Sequence, residues 1–290
     1  MNKVAVIADS TCDLSKELVE KYNIKIVPLH VTFPNDSNDY LDGVTITPLE
    51  VYKKVEQVND TPKTGARNVA EFINDFTPLI NEGYDIIFTG IGSGLSSTYN
   101  NALLAAREFP EGRIEIVDSQ NLSTGTGLLV LKMCELRDKR EDVHTIASEV
   151  RKLVPLVSAK FCIDRLDYLF KGGRCSGFTK VLAHMLHIHP VAKVINNKLT
   201  VYKKIRGKYI KAVDAQLEEF DRDFKNNNID TSHVFITDSH FMDGEDQYIY
   251  DHLVKYIPKE NIHFTHAGCV VSSHCGPKTI GILYILRRPE

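Results

Sequence analysis

The sequence predicts an α/β protein with two domains: a mostly parallel-sheet N-terminal domain and a mixed α/β C-terminal domain, with a ligand between them. In the first half, a short apolar strand, a polar loop and a helix recur three times, which is typical of helices that cover a parallel sheet. The second half changes to charged helices and a hairpin. A chain of 290 residues is long enough for about two domains. We place the boundary near Val157, which gives domains of residues 1–157 and 158–290.

The N-terminal half begins with a continuous apolar run over residues 3–8, typical of a buried parallel strand. Residues 25–33 predict a second strand, in which Pro28 indicates an edge or an irregularity. The other predicted elements are a helix from Leu14, a helix opened by Thr47 and Pro48, an amphipathic helix over 69–80, strands over 86–89 and 114–119, and a helix after each of those strands. Polar loops should gather where the parallel strands end.

The C-terminal half predicts a helix over residues 140–153, a strand over 158–163, and a helix from Leu166 that ends at Gly172 and Gly173. Further elements are a hairpin over 191–202 with Asn196 and Asn197 at its turn, helices over 212–224 and 246–256, and strands over 233–237, 262–265 and 280–285. A cleft between the two halves is the natural place for a ligand.

Composition is that of an ordinary globular protein, with 43% apolar and 25% charged residues. The formal net charge of −3 argues against a nucleic-acid partner, and no apolar run in the sequence is long enough to span a membrane. The six cysteines include no C-x-x-C pair, and the N-terminus lacks the apolar core of a signal peptide. We therefore expect free thiols and a cytoplasmic location.

The loop over residues 90–98 is the strongest candidate for a ligand site, because it joins an apolar strand to an Ala- and Leu-rich helix. The first N–H groups of a helix have no intrahelical partner and favour an acidic group. The loop contains Gly90, Gly92, Gly94 and the hydroxyl residues Ser93, Ser96, Ser97 and Thr98. Alternatively, Ser96 or Ser97 simply caps the helix. A dinucleotide motif is not present, since Leu95 stands where G-x-G-x-x-G needs its third glycine.

Thr64, Ser93 and His274 are the side chains that we expect to bind a carboxylate. Two hydroxyls and an imidazole supply several hydrogen-bond donors without the cost of burying a fixed cation. A structural role for His274 remains an alternative, because lone histidines are often structural. A secondary head-group loop would contain Gly94, Ser96 and Ser97.

Metal and hydrolase chemistry are weaker interpretations. The histidines at 184, 187 and 189 lack a carboxylate or thiolate partner at a spacing typical of zinc, and His266, Cys269, His274 and Cys275 are similarly unspecific. We therefore expect no metal, no other cofactor and no catalytic residue. A triad of Ser93, His274 and Asp9 is kept as a rival, although the residues flanking Ser93 are not the glycines of a nucleophile elbow.

Six motifs together resemble the DegV family over essentially the whole chain. They are Ala8-Asp-Ser-Thr-Cys-Asp-Leu14, Val27-Pro-Leu29, Pro62-Lys-Thr64, Ile91-Gly-Ser-Gly-Leu-Ser-Ser-Thr-Tyr99, Tyr168-Leu-Phe-Lys-Gly-Gly-Arg174 and Ser273-His-Cys-Gly-Pro277. The family includes the fatty-acid-binding subunits of bacterial fatty acid kinase. Each motif alone is weak, but all six occur in the family's order and spacing.

The resemblance implies a protein that encloses a long-chain fatty acid between its domains and performs no chemistry alone. It would present the carboxylate to a separate ATP-dependent fatty acid kinase subunit and carry the acyl phosphate to phospholipid synthesis. Thr64, Ser93 and His274 match family residues beside the carboxylate. Arg174 and Arg206 match arginines associated with the ligand head or the kinase contact.

The chain departs from the family pattern at Gly65, Arg67 and Lys278. Gly65 replaces a residue that has a hydroxyl, and Arg67 and Lys278 each add a cation near the predicted site. We expect Arg67 or Lys278 to increase the preference of the head site for an anion. A lipid-carrying binding protein is the leading interpretation; the alternatives are a serine hydrolase acting on lipid esters and a lipid-sensing regulatory protein.

Overall fold

A computed structural model describes residues 2–173 and 188–289. The described strands are β1 (Val4–Asp9), β2 (Lys25–Val27), β3 (His30–Thr32), β4 (Asp39–Leu41), β5 (Lys63–Gly65), β6 (Asp85–Gly90), β7 (Ile114–Asp118), β8 (Val157–Cys162), β9 (Ile188–Ile195), β10 (Lys198–Arg206), β11 (Ile229–Asp238), β12 (Ile262–His266) and β13 (Ile280–Leu286). The described α-helices are α1 (Lys16–Lys21), α2 (Pro48–Val58), α3 (Val69–Asn81), α4 (Thr98–Ala106), α5 (Thr124–Asp138), α6 (Val143–Leu153), α7 (Leu166–Lys171), α8 (Ile210–Lys225), α9 (Glu245–Leu253) and α10 (Cys269–Cys275).

The N-terminal half forms a four-stranded parallel sheet in the order β2-β1-β6-β7, as the sequence predicts. The polar loops that follow its strands lie together. The carboxylate of Asp9, at the end of β1, accepts a hydrogen bond from the Ile91 N–H after β6 at 2.8 Å. The Ser119 hydroxyl after β7 donates to the Gly90 carbonyl at 2.6 Å. The predicted gathering of polar loops is therefore confirmed.

The C-terminal half forms a six-stranded sheet in the order β10-β9-β8-β13-β11-β12. Of the described strand pairs in this sheet, β11–β12 is parallel and the other four are antiparallel. The sheet and its helices form the mixed α/β half that the sequence predicts. Strands β9 and β10 form the predicted hairpin. Asn196 and Asn197 at its tip both have positive φ, 50° and 61°, as a two-residue type I′ turn requires.

Helix α5 lies between the two sheets and joins them in one hydrophobic core. Its buried residues pack with Val6 and Ile87 of the parallel sheet and with Phe235 and Leu283 of the mixed sheet. This shared core means that the two halves are closely packed. The division into domains of residues 1–157 and 158–290 remains a prediction.

A small antiparallel sheet in the order β4-β3-β5 corrects the prediction of one strand over residues 25–33. The chain breaks after Val27: β2 pairs with β1 in the parallel sheet, whereas β3 pairs with β4 and β5. Pro28, which has no N–H to donate to a ladder, stands at the break. The break matters for the site because Thr64 lies on β5, opposite Val31 of β3.

None of the helices in the described part of the chain combines the length and apolar character that a membrane span requires.

Candidate functional site

A cavity of about 220 Å³ lies between the two halves of the molecule. Most of its wall is apolar. The apolar lining residues are Leu29, Ala66, Ile91, Leu95, Leu122, Phe161, Ile163, Leu169, Leu199, Ala267, Val270 and Val271. The rest of the lining consists of polar residues, one glycine and one cysteine. These residues are Thr64, Gly65, Ser96, Ser97, Ser123, Thr237, Asp238, Ser239, His274, Cys275 and Thr279. An apolar cavity with a few polar groups is the usual form of a small-molecule site.

Thr64 and His274 meet on the cavity wall, although they are 210 residues apart in the sequence. Thr64 Oγ1 lies 2.8 Å from His274 Nε2, and the tautomer of the imidazole decides which atom donates. Both side chains are partly buried. When Nε2–H donates to Oγ1, the Thr64 hydroxyl proton is available to a carboxylate that enters the cavity, and either group can donate to the carboxylate if the ligand replaces their mutual contact.

Helix α10 holds His274 in its last turn, and two buried aspartates bind the start of this helix. Asp13 Oδ1 accepts from the Gly268 N–H at 2.8 Å, and Asp42 Oδ1 accepts from the Cys269 N–H at 2.6 Å. These N–H groups have no intrahelical partner, so the carboxylates satisfy them and fix the helix in place. Burial raises the pKa of Asp13 well above its ordinary value. Neither α10 nor a role for Asp13 and Asp42 is predicted from the sequence.

Gly172 leaves room for the imidazole of His274. A Cβ atom at position 172 would lie 2.2 Å from His274 Nδ1, much closer than real contacts allow. The backbone of Gly172 has φ of −70°, which any residue can adopt, so space rather than backbone freedom requires the glycine. From the sequence, Gly172 is expected only to end helix α7. The structure adds a second role beside the site.

The predicted ligand loop divides into two parts, and its second part faces the cavity. Ser96 and Ser97 line the wall, just before the first residue of α4. Ser96 Oγ accepts from the Thr98 N–H at 3.3 Å, whereas the Ser97 side chain makes no capping hydrogen bond. The capping interpretation therefore applies to Ser96 and not to Ser97.

The first part of the loop binds the tip of the β9–β10 hairpin. Ser93 Oγ donates to Asp118 Oδ2 at 2.6 Å and accepts from Asn197 Nδ2 at 2.7 Å. A Cβ atom at Gly94 would lie 2.0 Å from the Asn197 carbonyl oxygen. Neither Ser93 nor Gly94 is among the residues that line the cavity. Gly94 therefore leaves space for the tip of the hairpin. The side chain of Ser93 contacts Asp118 and Asn197, and the expected grouping of Ser93 with Thr64 and His274 is not seen in these contacts.

The hydrolase triad considered from the sequence is not assembled. Asp9 accepts from the N–H and hydroxyl of Thr11 and from the Ile91 N–H. Burial raises the pKa of this carboxyl to about 6. His274 contacts Thr64, while Ser93 contacts Asp118 and Asn197. Each member of the proposed triad therefore has other partners.

The two cations expected near the head group point to carboxylates instead. Arg67 pairs with Asp75, and Lys278 pairs with Asp243. Neither cation lines the cavity, so we assign neither to a ligand head. Gly65, the remaining departure from the family pattern, does line the cavity.

Arg206 is exposed at the end of β10, away from the residues that line the cavity. Arg174, His184 and His187 lie outside the described residues. His189 Nδ1 lies 3.6 Å from Asp164 Oδ1, in an ion pair if the ring is protonated.

Comparison with known proteins gives consistent matches along the chain. A family model described as "DegV family" matches residues 3–287. A DegV domain-containing protein of Clostridium perfringens is 32% identical, with 98% of this chain and 99% of that protein covered.

Two solved structures are also similar over nearly their full lengths. One, described as showing fatty acid binding of a DegV family protein from Thermus thermophilus, is 27% identical with a TM-score of 0.87, covering 99% of this chain and 100% of that one. The other, a stearic-acid-binding protein from Eubacterium ventriosum, is 26% identical with a TM-score of 0.85, covering 99% of both chains.

Proposed function

Because this chain belongs to the DegV family, we propose that it binds a long-chain fatty acid in the cavity between its two halves. The observation that carries the proposal is the 2.8 Å contact between Thr64 Oγ1 and His274 Nε2 on the wall of a largely apolar cavity. The two related structures are described as fatty-acid-binding proteins, which supports the same ligand class.

The apolar wall supplies most of the binding free energy in this proposal. Burial of each methylene contributes about 0.8 kcal/mol, so about sixteen carbons offer on the order of 10 kcal/mol before ordering costs are subtracted. The hydrogen bonds of the head group then fix which end of the ligand lies at Thr64 and His274. Ser96 and Ser97, beside the start of α4, complete the polar end of the cavity.

Comparison of a fatty acid with its methyl ester tests the head site. Delipidated protein is titrated with palmitic acid and with methyl palmitate, which share the same tail. We expect the ester to bind about tenfold or more weakly, because it loses the charge that strengthens hydrogen bonds from Thr64 and His274. Equal affinities would contradict a carboxylate site, and no binding of either ligand would contradict the lipid proposal.

Ser93 is proposed to position the hairpin rather than to bind the carboxylate directly. We expect Ser93→Ala to lower the free energy of unfolding by about 1 to 3 kcal/mol, because Asp118 and Asn197 lose their shared partner. We expect the affinity for palmitate to change by about twofold or less. Urea unfolding and ligand titration measure the two effects. An affinity loss as large as that of Thr64→Ala would instead return Ser93 to the carboxylate site.

We also propose that a separate ATP-dependent kinase subunit phosphorylates the bound carboxylate, and that the acyl phosphate feeds phospholipid synthesis. A cytoplasmic location goes with this proposal and is supported by the free thiols of the five described cysteines. Arg206, exposed on β10, is the proposed kinase contact among the described residues.

Arg206→Ala tests the kinase contact. We expect acyl-phosphate formation with the fatty acid kinase subunit of the same organism to fall about tenfold, while bound lipid is retained, because Arg206 does not line the cavity. Lys198→Ala, at the other end of the same strand and also exposed, is the matched control. Loss of lipid from the Arg206 variant would overturn the docking role. Lipid-dependent capture of a partner without phosphorylation would favour the lipid-sensing alternative.

A further inference from the structure

We propose that Asp238, His240 and His266 form a binding site for a divalent transition metal of the zinc class. One ligand atom from each residue lies within 4.8 Å of the other two. No other such group of histidine, cysteine or carboxylate ligands occurs within residues 2–173 and 188–289. Two imidazoles and one carboxylate suit zinc and leave its fourth position open, whereas magnesium and calcium prefer oxygen ligands.

The register of the mixed sheet brings these residues together. Asp238 is the last residue of β11 and His266 is the last residue of β12, and the two are partners in the parallel ladder. His240 follows two residues after Asp238. Because the carboxyl ends of parallel strands meet at one edge of a sheet, side chains that are far apart in the sequence become neighbours there.

The contacts within the cluster are those of a compact, partly buried site. His266 Nδ1 lies 2.8 Å from Asp238 Oδ1, and the rings of His240 and His266 stack with centroids 4.4 Å apart. Asp238 is only 4% exposed. Nε2 of His240 is buried and has no hydrogen-bond partner in the described part of the chain. A buried polar atom of this kind calls for a partner, and a bound metal ion would supply one.

The donor atoms of the cluster suit a metal cation. A neutral imidazole binds a metal through a ring nitrogen, and His240 and His266 each offer one within 4.8 Å of a carboxylate oxygen of Asp238. The carboxylate of Asp238 would offset part of the metal's charge.

This site differs from the proposed carboxylate site. Asp238 lines the same cavity as His274, but the metal ligands do not include Thr64 or His274. The proposal does not depend on the identity of the lipid. It replaces the expectation of no metal site, which considered His266 only together with its neighbours in the sequence.

Zinc titration of the full chain tests the proposal. Chelator-treated protein is titrated with Zn²⁺ against a chromophoric competitor, and dialysed samples are measured by elemental analysis. We expect one equivalent of zinc, with an affinity about tenfold or more lower in His266→Ala. His144→Ala is the matched control, because His144 is also exposed, with Nδ1 2.7 Å from a carboxylate oxygen of Glu115, yet belongs to no such cluster.

A second variant and a spectroscopic probe separate this site from zinc bound elsewhere. The backbone at His240 has φ of 68°, which asparagine tolerates, so His240→Asn removes the imidazole with little strain. We expect Co²⁺ to give a visible ligand-field spectrum in the wild type and in His144→Ala but not in His240→Asn. Zinc uptake well below one equivalent, or equal affinities in His266→Ala and His144→Ala, would overturn the proposal.

Discussion

Replacement of His274 by alanine is expected to lower the affinity for palmitate by about 5- to 150-fold. The change removes an imidazole from the cavity wall and leaves Thr64 Oγ1 without its partner at 2.8 Å. Loss of a hydrogen bond to a buried charged group costs about 1 to 3 kcal/mol, which corresponds to that range of affinity. Titration of the delipidated variant with palmitate measures the effect.

Two controls assign the effect of His274→Ala to the head group. Methyl palmitate, which carries no carboxylate, should lose little affinity for the variant. Thr64→Ser keeps a hydroxyl beside His274 and should bind palmitate nearly as well as the wild type, whereas Thr64→Ala should not. Equal losses for the acid and its ester would show that His274 supports the cavity without binding the carboxylate.

Gly172→Ala is expected to weaken palmitate binding by a factor similar to that of His274→Ala, although Gly172 does not line the cavity. The added Cβ would lie 2.2 Å from His274 Nδ1 and must push the imidazole away from Thr64. Overpacking of this kind costs about 1 to 3 kcal/mol, so a loss of about 5- to 150-fold is expected. Ligand titration and urea unfolding together separate lost affinity from lost stability.

A double-mutant cycle shows whether Gly172 acts through His274. In the His274→Ala background the imidazole is absent, so the added methyl group has no ring to displace. We expect Gly172→Ala to cause almost no further loss of affinity there, which makes the two changes strongly non-additive. Additive losses would mean that Gly172 affects binding by another route.

The sequence predicted the fold class and part of the candidate site. Strand-loop-helix repeats predicted the parallel sheet, because apolar runs of this length are buried wherever helices cover both faces. Thr64 and His274 do meet. Their hydrogen-bonding chemistry grouped them, and the resemblance to a family implied that both lie beside a carboxylate, whereas periodicity alone does not relate residues 210 positions apart. Their role as carboxylate ligands remains a proposal.

Other contacts between distant elements could not be predicted from the sequence. Gly94 belongs to a loop with the composition of a ligand site, but Gly94 itself lies against the hairpin tip at Asn197. The pairing of Asp238 with His266 depends on the register of two strands, and a shift of one residue would separate them. Such contacts follow from tertiary packing, which no local pattern of residues specifies.

Identification of the ligand carried by the purified protein is a direct test of fatty-acid binding. The protein is denatured and extracted with organic solvent, and the extract is quantified by mass spectrometry against a mock purification. We expect about one long-chain fatty acid per chain in the wild type, and clearly less in His274→Ala. An extract without fatty acid, together with a failure of the delipidated protein to take up palmitate, would contradict fatty-acid binding.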